Sequence, residues 1–441
     1  MKQEGFSTKV GAIAAAAGSA VGLGNMWRFP YVMGENGGAA FLIMYVLFTL
    51  LIAMPVLLAE FSIGRMTGKP VTSAFRSLAP TKKWYLIGFM GVVCAFIIMA
   101  FYNVVSGWIL YYMYLSATGE LAGLSAEEVE RTFSATASDP VVSIFWMIVI
   151  VAIVGFIVAR GVEKGIEKYS KILMPVLLIL MVVMCIRSVS LPGAGEGLSF
   201  LLSPDVSKIT PHAMFIALGQ SFFSLSIGMG VMTTYGSYIS RNQNLATDAV
   251  SVAMIDFFIA FMAGVMIFPC AFAFGINPGQ GPGLVFVTLP NIFNQMAFGQ
   301  LLSVFFFLLL VVAAVTSCIS LLEVLVAYGT TSLGLKRKAS TVIMATLVVV
   351  VGIGCAVSSE LFDFFDNLSA NVILPLGAVF IVLFIPLVVG KQRFREELEA
   401  HGGTFRGFEF VYFMTKYIVP IAISIVFIVG VLGWIGIDIF A

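Results

Sequence analysis

Side chains that commonly carry out chemistry are few here and badly spaced. The two histidines, His212 and His401, stand far apart, and the cysteines Cys94, Cys185, Cys270, Cys318 and Cys355 form no CxxC pair. No HExxH or GxSxG run occurs, so neither a metallohydrolase nor a serine hydrolase is legible. What the sequence offers instead is unpaired backbone. Gly18, Gly22 and Gly24 fall within seven residues of "GSAVGLGN", and Gly228 and Gly230 flank Met229 in "GQSFFSLSIGMGVMTTYGSY". Glycine costs about 1 kcal/mol relative to alanine in a helix interior, so both runs read as places where a helix comes apart. Released carbonyls can hold a hard cation, and released amides at a helix start can hold an anion. The alternative is close helix packing through small residues.

The elements that carry these runs belong to a bilayer. The chain has 441 residues, 60% hydrophobic and 11% charged, with a mean hydropathy of +1.04, which excludes a water-soluble globule. Eleven apolar stretches lie near residues 10–33, 39–64, 86–116, 141–159, 166–187, 212–238, 247–275, 298–333, 340–357, 367–390 and 411–435. Each is long enough to cross about 30 Å of hydrocarbon as helix. The first reads as part of the mature fold, not as a cleaved leader. All five cysteines fall inside these stretches and read as packing residues. A net charge of +1 points to no nucleic-acid partner. Lys and Arg crowd the connections on one side, from Lys9 through Arg65–Lys83 and Arg160–Lys171 to Arg406, whereas Arg131, Arg187 and Lys208 are alone on the other. Positive-inside bias then places the N-terminus in the cytoplasm and, after eleven spans, the C-terminus outside.

An unpaired N–H or C=O in hydrocarbon costs several kcal/mol, so a span that breaks midway must line a protein-enclosed cavity. The broken spans are the first and the sixth. Five is odd, so they enter the membrane from opposite sides, as in two inverted five-helix repeats. Spans 1–5 occupy about 10–187 and spans 6–10 about 212–390, with 411–435 additional, all in one polytopic all-α membrane domain over 1–441. Matching interruptions in two halves point to a transporter site near the midplane.

The stretches "GSAVGLGNMWRFP", "ENGGAAF", "SFFSLSIGMG" and "VAAVTSCISLLE" resemble the signatures of the neurotransmitter:sodium symporter family, bacterial branch, with matches running from the first span to the tenth. Family members usually have twelve spans, and some bacterial ones eleven. The resemblance implies two Na+ sites. One would draw on carbonyls of Gly18, Val21 and Ala313 with Thr316 and Ser317, although hydroxyls in membrane helices more commonly bond back to their own helix. The other would take Ala20, Asn25, Ser224, Asp256 and a substrate carboxylate oxygen. Asp256 stands where many members carry Asn, and an acid inside a span is a functional candidate by default. In chloride-dependent members an anion supplies that negative charge, so no chloride requirement is expected here.

For an amino acid substrate, Leu23 and Gly24 amides and the Tyr102 hydroxyl would face the carboxylate, and carbonyls of Ala20, Phe223, Ser224 and Ser226 the ammonium. Ser19, Gly22 and Ser317 border the same position. The side chain would lie among Val21, Ile98, Phe223, Met229, Ser320 and Leu321. The family's outer gate maps to an Arg28–Asp366 ion pair above a Tyr102–Phe223 lid; a snorkelling Arg28 is the alternative. Glu60 and Glu323 are expected to bond to exposed backbone of the broken helices or to carry protons. At the inner gate the family's usual Arg, Trp and Asp are replaced by Gln3, Phe6 and Thr331, so no inner ion pair is assigned, leaving Phe6 as a plug and Lys2 as a charge. Gly165 and Pro175 match a spacing that the family associates with local unwinding of the fifth span. Pro175 removes one helical hydrogen bond, and a fixed kink is the alternative.

Met229 replaces the Phe that small-aliphatic transporters of the family place between these glycines, and its flexible thioether makes room for rings. These readings imply a sodium-coupled importer of hydrophobic L-amino acids, aromatic ones included, in the bacterial inner membrane, as a monomer or homodimer. A non-transporting amino acid sensor and a channel are the competing functions, and an enzyme is not expected.

Overall fold

The computed structural model describes residues 5–275, 283–437 and 439; Lys2 and Gln3 lie outside them. Among the described residues every regular element is helical. Among those residues nine helices are long and apolar enough to cross a membrane, and Lys9–Ala20 with Gly24–Glu35, bent by 50°, makes a tenth if the pair is taken as one span. The 212–238 stretch is not one helix but two, Pro211–Ser224 and Val231–Gly236, flanking residues 225–230. Neither piece is long enough to span alone.

Local chemistry explains where these pieces start and stop. Thr8 caps the Lys9–Ala20 helix by accepting the Gly11 N–H at 3.1 Å, and Thr210 does the same for Pro211–Ser224 through Ala213 N–H at 3.1 Å, each satisfying one orphan donor. The first helix stops where Val21 swings to ψ 89°. The second break is built from left-handed residues, Ser226 (φ 52°), Gly228 (φ 86°) and Gly230 (φ 77°). Glycine adopts that region without strain. Ser226 does not, and its hydroxyl is held by donating to Ser19 O at 2.9 Å.

Burial sorts the long helices into core and periphery. In Gly299–Thr331, 83% of the apolar window is buried inside the protein, against 22% in Phe408–Trp434, so the former is the central post and the latter meets lipid. The post packs along Tyr85–Thr118, which has 34 residues and is about 50 Å long, so it must tilt to fit a bilayer. Cys94, Cys185, Cys270, Cys318 and Cys355 are all buried and unbridged, as packing residues should be. The helix Ala39–Thr67 lies against Val231–Gly236 with backbones touching: a Cβ on Gly64 would come within 2.0 Å of Thr233 O, and one on Gly236 within 2.6 Å of Phe61 O.

That contact leaves no space for a methyl group. Gly64→Ala is expected to cost about 2 kcal/mol or more of stability through overpacking, read as a lowered melting temperature of the purified protein in detergent; an unchanged melting temperature would show that the helices separate freely.

Candidate functional site

The two breaks meet around a cavity of about 40 Å³ lined by Ser19, Ala20, Gly22, Gly24, Ile98, Tyr102, Phe223, Ser226, Met229, Ser317, Ser320 and Leu321. All twelve belong to the fifteen residues expected around a substrate. Val21, Leu23 and Ser224 are buried but do not line it. No charged side chain lines the cavity, and its volume falls well short of the about 300 Å³ or more of a typical small-molecule pocket. Its narrowness is set by close backbone approach. A Cβ on Gly22 would fall 2.3 Å from Ser317 Oγ, and one on Gly24 would fall 3.1 Å from the Phe223 ring.

Side chains from other helices pair the backbone groups that the breaks release. The Leu23 N–H donates to Tyr102 Oη at 3.1 Å, Gln220 Nε2 donates to Gly24 O at 3.2 Å, and Ser317 Oγ reaches Ser19 O at 3.4 Å. Glu60, fully buried, accepts the Gly228 N–H at 2.6 Å, the Thr233 N–H at 3.1 Å and the Thr233 hydroxyl at 3.0 Å. Glu60 thus bonds to the broken helix, as one sequence reading holds. Glu323 accepts the Tyr238 hydroxyl at 2.6 Å and pairs with Arg337 at 2.5 Å, a partner from the following helix.

The residues proposed for the two ion sites fall into two groups. In one, Ser224 Oγ donates to Asp256 Oδ1 at 2.7 Å, Asn25 Nδ2 donates to the same oxygen at 2.8 Å, and Ser224 Oγ lies 3.3 Å from Asn25 Oδ1. Tyr45, missed by the sequence reading, completes the group by donating to Asp256 Oδ2 at 2.6 Å. Its signal was a lone phenol inside an apolar run, since a buried tyrosine hydroxyl usually has a partner. In the other group Gly18 faces Thr316, a Cβ there meeting Thr316 Cβ at 3.4 Å, and Val21 and Ala313 are fully buried. Thr316 Oγ1 bonds back to Ala313 O at 2.9 Å. Among the described residues no three His, Cys, Asp or Glu side chains converge, so the donors are carbonyls, hydroxyls, an amide and one carboxylate, a set that fits a hard monovalent cation better than a transition metal.

The gates differ from expectation. Arg28 makes no direct ion pair with Asp366, although its charge acts on that carboxylate; its guanidinium lies over the Phe223 ring, 4.9 Å from the centroid, where an aromatic face attracts a cation. Tyr102 and Phe223 share the cavity wall without stacking on one another, since the Tyr102 hydroxyl is tied to Leu23. Gly165 and Pro175 do not mark unwound chain in this conformation. Val162–Glu167 is a π-helical turn leading into Lys168–Val189, which continues through Pro175. Phe6 is buried edge-on against Tyr235 and Tyr238, at 5.7 and 5.9 Å, and Thr331 Oγ1 bonds to its own helix at Ala327 O, 2.7 Å away.

A helical membrane bundle whose two broken helices enclose a cavity has the architecture of a secondary transporter. The family model described as the sodium:neurotransmitter symporter family matches residues 3–139 and 133–437, and the chain belongs to that family. It is 39% identical to the sodium-dependent transporter YhdH of Bacillus subtilis over 97% of this chain and 98% of the relative. It is 28% identical to the sodium- and chloride-dependent GABA transporter 2 of Rattus norvegicus, over 90% of this chain and 75% of the relative. The crystal structure of MhsT in complex with L-phenylalanine superposes with a TM-score of 0.89 at 42% identity, covering 97% and 99% of the two chains. This protein is therefore a sodium-dependent membrane transporter, not an enzyme.

The Tyr45 contact generates a test. Tyr45→Phe leaves a buried carboxylate oxygen without its donor and is expected to cost about 1–3 kcal/mol of stability. The cost should largely vanish in an Asp256→Asn background, as a double-mutant cycle measured by thermal unfolding would show; additive losses would mean that the two side chains do not interact.

Proposed function

We propose that the protein imports hydrophobic L-amino acids, aromatic ones included, by coupling them to two sodium ions in an alternating-access cycle. The observation that carries this reading is the cavity wall. Ile98, Met229, Leu321 and Phe223 supply apolar surface and the half-helix ends supply polar groups, with no acid or base aimed at a side chain. The L-phenylalanine bound by MhsT supports the same class. The substrate carboxylate would face Leu23, Gly24 and Tyr102, and its ammonium the carbonyls of Ala20, Phe223, Ser224 and Ser226. The cavity's small volume means that a ring enters only when Met229 and Phe223 shift, and an unbranched thioether moves at low cost.

The ion sites follow the two polar groups. Gly18, Val21, Ala313, Thr316 and Ser317 would hold one Na+, with Thr316 Oγ1 turning from its helix bond. Ala20, Asn25, Ser224 and Asp256 would hold the other, beside the substrate carboxylate. Asp256 supplies a fixed negative charge there, which makes a bound chloride unnecessary and repelled. In our reading eleven spans cross the bacterial inner membrane with the N-terminus cytoplasmic and the C-terminus outside. The bent pair is the first span and 211–236 is the sixth, each opening an inverted repeat.

In proteoliposomes, labelled phenylalanine and leucine should accumulate under an inward sodium gradient, with the rate unchanged when gluconate replaces chloride. Binding without accumulation would indicate a sensor instead, and chloride-dependent uptake would overturn the role given to Asp256. Replacing Thr316 by Val and Ser317 by Ala together should raise the sodium concentration for half-maximal uptake about tenfold or more, given about 1.5–3 kcal/mol per charged-partner bond; unchanged sodium affinity would remove that site. Met229→Phe should weaken competition by Phe, Tyr and Trp about tenfold, on the scale of 1–3 kcal/mol for overpacking, while sparing Leu. Equal loss of both would show that Met229 does not set the pocket's size.

A further inference from the structure

The first span begins between two buried carboxylates that no part of the transport site uses. Glu167, 1% exposed, accepts four donors: the Ser7 N–H at 2.7 Å, the Ser7 hydroxyl at 2.9 Å, the Thr8 hydroxyl at 2.7 Å and Lys171 Nζ at 2.5 Å. Three of the four come from the two residues just before the Lys9–Ala20 helix. A Cβ on Gly11 would fall 2.2 Å from Glu167 Oε1, so the helix's first turn rests directly on the carboxylate. A second helix, Leu245–Ala273, presents Asp248, 2% exposed, and Lys9 pairs with it at 3.5 Å. Neither Asp248 oxygen makes a hydrogen bond, so Lys9, with Arg65 acting at longer range, offsets its buried charge. Phe6, beside this clamp, fills the space against Tyr235 and Tyr238.

We infer that Glu167 and Asp248 form the inner latch of the transporter, clamping residues 7–9 to two different helices in place of an inner arginine–aspartate pair. This rests on the alternating-access reading and on a cytoplasmic N-terminus. A buried carboxylate is strongly destabilised when its partner leaves unless water reaches it, so each clamp has two acceptable arrangements, paired with the path shut or hydrated with the path open. Glu167 also sits between Gly165 and Pro175, at the end of the π-helical turn. Loosening that turn displaces the carboxylate and frees the start of the first span in the same movement. Glu167 is thus a positioning residue: it touches neither ion nor substrate and sets how readily the inner path opens.

A cysteine placed at Ser237 reports the latch. Ser237 is 6% exposed and lines the cavity beneath Phe6 and Tyr238, while the five native cysteines are buried. In purified full-length protein with sodium, reaction of Ser237→Cys with a polar maleimide should speed up about fivefold or more on adding Glu167→Gln or Lys9→Gln, the scale of losing one charge-assisted hydrogen bond. Ser7→Ala removes one hydroxyl donor from an exposed residue and leaves the Thr8 cap intact, so it reads the same latch if Glu167→Gln folds poorly. Sodium-driven uptake should persist in these variants with a raised sodium requirement. Unchanged labelling in folded variants that transport normally overturns the latch and leaves the transporter reading standing. Failure of the unaltered protein to accumulate substrate overturns the transporter reading instead.

Discussion

The constraint on which the structure depends is that a helix cannot stop inside hydrocarbon without partners for its backbone. Two helices do stop, and several of the released groups near the cavity meet a side chain from elsewhere in the bundle: Tyr102 for the Leu23 N–H, Gln220 for Gly24 O, Ser226 for Ser19 O, and Glu60 for the Gly228 and Thr233 amides. Each such pairing avoids several kcal/mol. The cavity lies between these breaks, and Tyr102 and Ser226 both satisfy released groups and line its wall.

Around Asp256 the same rule applies to charge. A carboxylate in this position survives because Tyr45, Asn25 and Ser224 all donate to it, which spreads the negative charge over a preformed cage. Asn25 lies on one broken helix and Ser224 ends a piece of the other, so whatever binds at the carboxylate also ties the two breaks together. In the proposed cycle this arrangement would couple an ion to a substrate without a moving part between them.

Much of this was legible in the sequence, and the limits have physical causes. Glycine clusters in apolar runs revealed both breaks, because a glycine's backbone cost is local. Seven of the twelve residues of the cavity wall flank those breaks, whereas Ile98, Tyr102, Ser317, Ser320 and Leu321 lie on other helices and were reached only through the family resemblance. Pairings between distant residues were not legible. Tyr45 and Asp256 are separated by more than 200 positions, and nothing in "IMYVLF" says which acid the phenol meets. Glu323 lies 14 positions before Arg337, yet only a turn between two helices brings them together. Arg28 was assigned to Asp366 through the family's outer gate; its charge does act on that carboxylate, but the contact it makes is with the Phe223 ring. The eleven-span count rests on joining short pieces such as Pro211–Ser224 and Val231–Gly236, a step that length and hydropathy alone do not supply.

The bare contact between Ala39–Thr67 and Val231–Gly236 has a mechanical consequence. Side chains between two helices act as bearings that can repack to let one slide over the other. At Gly64 and Gly236 there are none, and Glu60 rivets the pair a turn away from Gly64. The two helices can therefore only tilt together, as a single rigid lever, so that a displacement at one end is delivered to the cavity undiminished.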